Sequence, residues 1–197
     1  MLCAGLAVFS PLIRSGCGPG KKVGILGLGG LGHYAVMFAK ALGAEVYVLS
    51  HSDHKEADAK KFGADYFVVT TKKENMEPLQ YSLDIIISTV DVTEGYHLKD
   101  FLSLLFVNGI FINIGIPDSS LPQIGPFDIV SNSACLEGSS IGSKKEAIQM
   151  LELAAEKNIE PMIELFPMSK VKEAVEGMKA GKPRYRYVVV QDFAPAV

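Results

Sequence analysis

The sequence has no tryptophan, three cysteines and four histidines among its 197 residues. Cys3, Cys17 and Cys135 lie far apart and form no CxxC pair, which fits a reducing, cytoplasmic compartment. No apolar run reaches the ~18 residues that a membrane-spanning helix needs. The first residues carry no basic segment, and the apolar stretch after them breaks at Pro11, which argues against a secretory leader. There is no basic cluster either. With a net charge of −3, the chain lacks the electrostatic footprint of a nucleic-acid binder. What it does have is apolar residues, 48% of the total, enough to bury a sizeable core.

Strand-like runs at 23–26, 45–50, 66–69, 84–88, 109–114 and 135–141 alternate with helical patterns at about 31–42, 54–62 and 97–106. Continuous apolar strands separated by helices predict an α/β fold, a doubly wound parallel six-stranded sheet. Gly43 and Gly63 stand where helix C-caps belong. Segment 70–82 reads as a polar connection, and 116–131, with three prolines, as a long loop. After Gly142 the texture changes to a helix at 144–157, a strand at 161–166, a helix at 170–180 and a strand at 185–191. The expected organisation is one α/β domain over 4–142 and a separate C-terminal segment over 143–197.

The first strand runs straight into Gly27-Leu28-Gly29-Gly30-Leu31-Gly32, and an amphipathic helix follows. This is the strand, G-x-G-x-x-G and helix context of a dinucleotide-binding Rossmann unit. The first glycine permits the turn, the second admits a pyrophosphate, and the third lets helix and strand pack closely. NAD-binding members of the fold close the second strand with a carboxylate about 20 residues past the glycines. Here that position is Ser50, followed by His51 and Lys55. A carboxylate would repel a 2′-phosphate, whereas a hydroxyl with basic neighbours accepts one, so NADP is favoured over NAD. The competing reading makes Asp53 a ribose ligand, but it falls three residues late, where helix capping is commoner.

The glycine motif, the preceding Cys17-Gly18-Pro19-Gly20-Lys21-Lys22, the opening Leu2-Cys3-Ala4-Gly5 and the late Arg184-Tyr185-Arg186-Tyr187 together resemble the medium-chain, zinc-dependent alcohol dehydrogenases. The similarity is to their cinnamyl alcohol dehydrogenase-like, NADP-dependent branch, and Ser50-x-x-x-x-Lys55 matches that group's 2′-phosphate site. The resemblance implies hydride transfer between NADPH and a small-molecule primary alcohol or aldehyde, with a zinc ion polarising the carbonyl oxygen. It implies that Gly27, Gly29, Gly30, Leu31 and Gly32 serve the pyrophosphate, and that Ser50, His51 and Lys55 serve the 2′-phosphate. Ser88 and Thr89 would lie near the bound cofactor, Ile114-Gly115-Ile116 against the nicotinamide, and Arg186 at the pyrophosphate. Cys3 matches one zinc ligand of the family. The other ligands belong to a GroES-like catalytic domain; the resemblance begins where that domain ends, and it implies that 143–197 is a C-terminal remnant of that catalytic domain. Family members often pair as homodimers through the nucleotide-binding sheet, which makes 125–133 the candidate edge. There are two departures: Ala7 stands where the family commonly has threonine, and His51 where NADP-dependent relatives often have arginine. An imidazole is a poorer phosphate partner than a permanent guanidinium.

A second constellation, Gly138-Ser139-Ser140-Ile141-Gly142, fits the G-x-S-x-G of a hydrolase nucleophile elbow. No histidine follows His97, so the order of a Ser–acid–His triad is not met. Taken without the resemblance, Cys3 has no ligand-spaced partner and reads as a free thiol. An alternative to the enzyme reading is a dinucleotide-binding module that binds NADP without turnover.

Overall fold

The structure, a computed structural model, describes residues 1–92 and 95–193. The chain divides into two compact units, Met1–Ile159 and Glu160–Val197. In the first, strands Lys22–Leu26 (β1), Glu45–Ser50 (β2), Tyr66–Val69 (β3), Leu83–Ser88 (β4), Leu105–Asn113 (β5) and Cys135–Gly138 (β6) form one parallel sheet. Its order is β3-β2-β1-β4-β5-β6. Among the described residues, these α-helices accompany it: Leu2–Arg14 (α1), Gly32–Ala41 (α2), Glu56–Lys61 (α3), Lys73–Met76 (α4), Leu98–Leu102 (α5), Phe127–Val130 (α6) and Lys144–Glu156 (α7). The expected α/β doubly wound sheet is therefore present. Val23, Ile25, Val46, Val48, Ile85 and Ile87 are buried in the central strands, as strands covered on both faces require. Strand order reverses between β1 and β4, so their carboxyl ends meet at a topological switch point, where open α/β sheets bind ligands.

α1 occupies a stretch in which the sequence reading places no element, and the helix runs through Pro11. An interior proline costs a helix ~3 kcal/mol. Val8, Phe9 and Leu12 are buried on this helix, and each such side chain contributes about 1.5–3 kcal/mol, so burial outweighs the proline. Phe9 meets Phe38 of α2 edge-on, with ring centroids 5.3 Å apart. On α7, Met150 is buried, and its Sδ lies 3.0 Å from where a Cβ on Gly5 would stand. Arg14 donates from Nε and Nη2 to the two carboxylate oxygens of Glu146, at 2.6 and 2.8 Å. Glu146 also accepts from the Ser143 amide at 2.6 Å, completing a capping box at the start of α7. These contacts put α7 inside the first unit, and the division falls after Ile159 rather than at 142.

Other elements differ from expectation as well. The helix expected over 97–106 ends at Leu102, because Leu104 and Leu105 are buried in the sheet core and Leu105 pairs with Leu83. Strand β6 stops at Gly138, short of 141, and segments 70–82 and 116–131 hold the short helices α4 and α6. Cys135 is exposed, since β6 is an edge strand. The expected C-caps hold: the amides of Ala44 and Ala64 donate back to Ala39 and Ala59, closing α2 and α3.

The second unit pairs Ile163–Pro167 (β7) with Arg186–Val190 (β8) in parallel, with Val171–Lys179 (α8) between them in sequence. Gly177 lets α8 approach β8, since a Cβ there would lie 3.0 Å from the Tyr187 hydroxyl. Leu165, Val175, Met178 and Val190 remain exposed.

Candidate cofactor site

The ends of four parallel strands build this site. After β1 the chain turns at Gly27, whose φ of +89° suits glycine. A Cβ at Gly27 would stand 3.1 Å from both Thr89 Oγ1 and Val90 Cγ2. At Gly32 a Cβ would lie 2.0 Å from the Gly27 carbonyl oxygen, so only glycine lets α2 begin so close to the turn. Gly29 faces open space, with nothing within 4 Å of a built Cβ. The loop thus closes on itself at both ends and is open in the middle, the form a backbone cradle for a pyrophosphate takes.

β2 ends beside it. The Leu49 carbonyl accepts from the Gly27 amide at 3.0 Å, and Ser50 is buried with its carbonyl accepting from Thr70. His51 is exposed. Lys55 does not point to bulk solvent: its Nζ donates to the Leu28 carbonyl in the glycine loop at 2.7 Å. Lys55 is also the residue at the N-cap of α3. Asp53, expected to cap, lies two residues earlier, and its carbonyl accepts from the Glu56 amide at 2.9 Å.

From β4, Ser88 is buried, and its carbonyl accepts from the amides of Ile114 and Gly115 at 2.9 and 3.1 Å. Its hydroxyl lies 3.4 Å from the Tyr96 hydroxyl, and burial pushes the Tyr96 phenol up from its usual range. The Thr89 hydroxyl donates to the Leu26 and Gly27 carbonyls at 3.2 and 3.1 Å. From β5, a Cβ on Gly115 would lie 1.9 Å from the Val90 carbonyl oxygen, so the two strand ends touch backbone to backbone. Asn113 Nδ2 donates to the Gly115 carbonyl at 2.8 Å and shapes this turn, a role the sequence reading missed although an asparagine at a strand end signals one. Ile114 is buried, and Ile116 is 88% exposed.

A family model for zinc-binding dehydrogenases matches residues 30–156. The chain belongs to that family. It is 39% identical over 189 residues to NADP-dependent alcohol dehydrogenase C 1 of Mycolicibacterium smegmatis, covering 96% of this chain and 53% of the relative. It is 40% identical over 191 residues to a probable cinnamyl alcohol dehydrogenase 3 of Oryza sativa, covering 96% and 51%. Among solved structures, a cinnamyl alcohol dehydrogenase from Sorghum bicolor superposes with a TM-score of 0.89 at 36% identity, over 95% of this chain and 53% of that one. A Helicobacter pylori enzyme described as complexed with NADP(H) gives 0.82 at 37%, with the same coverage. The chain spans about half the length of these relatives.

Cys3 is an exposed thiol on α1, and among the described residues no group of three His, Cys, Asp or Glu converges as a metal requires. Arg186 lies on β8 in the second unit and is exposed. Of the expected site residues, Gly27 to Gly32, Ser50, His51, Lys55, Ser88, Thr89 and 114–116 all lie on the carboxyl ends of β1, β2, β4 and β5.

Proposed function

We propose that this chain is the NADP(H)-binding part of an alcohol dehydrogenase or aldehyde reductase, acting on a primary alcohol or aldehyde of the cinnamyl type. The observation that carries this reading is the open Gly29 cradle set beside a second strand that ends in Ser50 rather than a carboxylate. Gly27 to Gly32 offer backbone to the pyrophosphate. Ser50, His51 and Lys55 surround the 2′-phosphate, and Ser88, Thr89 and 114–116 flank the nicotinamide end. NADPH supplies the hydride when bound, and the protein's part is to hold and orient it. The names of the relatives support both NADP and the alcohol or aldehyde substrate. Two copies pairing through the exposed edge strand β6 and the neighbouring 125–133 segment, where Phe127 and Val130 stand out from α6, is the assembly this reading favours. The three free thiols support a cytoplasmic setting.

A second reading has its own observation. Because the described residues do not make a zinc site, the chain by itself would bind NADP without turnover. One experiment separates the two. The chain is titrated with NADPH and with NADH, then assayed for NADPH oxidation with cinnamaldehyde, with and without added zinc. NADPH binding tighter than NADH binding is expected. Turnover that a chelator abolishes would support the enzyme, and binding without turnover the module. Failure to bind either nucleotide would overturn both.

A further inference from the structure

Three consecutive carbonyls of the glycine loop are each held by a side chain from a different element. Thr89 Oγ1, at the end of β4, donates to Gly27 O at 3.1 Å. Lys55 Nζ, at the start of α3, donates to Leu28 O at 2.7 Å. His33, buried on α2, approaches Gly29 O at 3.2 Å with Nδ1, alongside its own amide at 3.1 Å. A carbonyl only accepts, so the imidazole contact needs its proton on Nδ1. A peptide unit is planar and trans, and its N–H points opposite to its C=O. Drawing the carbonyls of residues 27, 28 and 29 towards these donors therefore turns the amides of Leu28, Gly29 and Gly30 the other way. Among the described residues, no backbone carbonyl accepts from those three amides.

We propose that Thr89, with Lys55 and His33, is a positioning residue that presets the glycine-loop amides for a diphosphate before any ligand arrives. This rests on the NADP(H) reading above and adds to it a division of labour. Beyond its place beside the cofactor, Thr89 acts through the loop, by fixing the first peptide plane. Prior orientation of the donors spares the ligand the cost of ordering them.

The test removes the Thr89 hydroxyl and reads two probes that differ in the diphosphate. NADPH carries both a pyrophosphate and a 2′-phosphate, whereas adenosine 2′,5′-bisphosphate carries the 2′-phosphate and no pyrophosphate. Thr89→Val is expected to weaken NADPH about three- to tenfold, the worth of one hydrogen bond, and to leave the bisphosphate unchanged. Thr89→Ser restores NADPH binding. In the ligand-free chain, NMR order parameters for the amides of residues 28–30 fall in Thr89→Val and recover in Thr89→Ser. Equal losses on both probes, or unchanged NADPH affinity with unchanged order parameters, would overturn the inference. If Thr89→Val does not fold, Thr89→Ala provides the same readouts with a smaller side chain. A wild-type chain that binds neither probe overturns the NADP(H) reading, whereas one that binds both and is indifferent to residue 89 overturns only this inference.

Discussion

Gly29 and Gly32 stand three residues apart and make opposite demands on a side chain. A methyl group on Gly32 would be driven into the Gly27 carbonyl, at 2.0 Å, where only backbone movement can relieve it. Gly32→Ala is therefore expected to destabilise the first unit by about 2 kcal/mol or more in denaturant melts. A methyl group on Gly29 meets nothing. Gly29→Ala is expected to leave the melt within about 0.5 kcal/mol of wild type and still weaken NADPH by about tenfold, because the methyl occupies the line of approach of the pyrophosphate. A pair of variants that lose stability and affinity together would sink this distinction. His51 gives the complementary gain: it is exposed beside the buried end of β2, and His51→Arg is expected to tighten NADPH about three- to tenfold with NADH unchanged, measured by fluorescence titration.

At the scale of elements, the tie between α1 and α7 is the most exposed to pH. The Arg14 guanidinium, followed by the Ser143 amide, holds the Glu146 carboxyl down at about 2, below its ordinary 4.5. A folded-state value that is lowered adds stability above the unfolded value and gives it up as pH falls through the folded one. The contribution is therefore whole at neutral pH and lost progressively from about pH 5 to pH 2. Glu146→Gln should flatten that part of the stability–pH curve, as denaturant melts at several acid pH values would show. How well each element can be read from sequence follows from what competes with its pattern. β2 is legible to the residue, because the apolar run Val46–Leu49 stands between Gly43 and a polar segment. α1 is not, because Pro11 reads locally as a break while the burial that overrides it depends on α2 and α7. The run from Leu102 to Val107 suits a helix or a strand equally well, and only pairing with β4 decides it. The glycine loop and Ser50 were visible as motifs, but Lys55 reaching Leu28 joins residues 27 apart and leaves no local signal.

At the scale of the whole molecule, apolar side chains remain at the surface in quantity. In the second unit, Leu165 is 66% and Met178 61% exposed, and Val175 and Val190 stand out with them. Apolar side chains left exposed in such number favour association. The chain by itself is expected to self-associate with rising concentration in sedimentation velocity, and Leu165→Lys with Met178→Lys to reduce this without lowering NADPH affinity. A monomer at all concentrations would contradict the expectation. The backbone-to-backbone contact of Gly115 with Val90 has a consequence for redesign. A floor made of main chain against main chain has no side chain to exchange, so its chemistry is closed to single substitutions. The end of β2, from Ser50 to Lys55, is made of side chains that can be exchanged one at a time. A lineage or a designer seeking to change the preferred nucleotide would find its freedom there, at the rim, and almost none beneath.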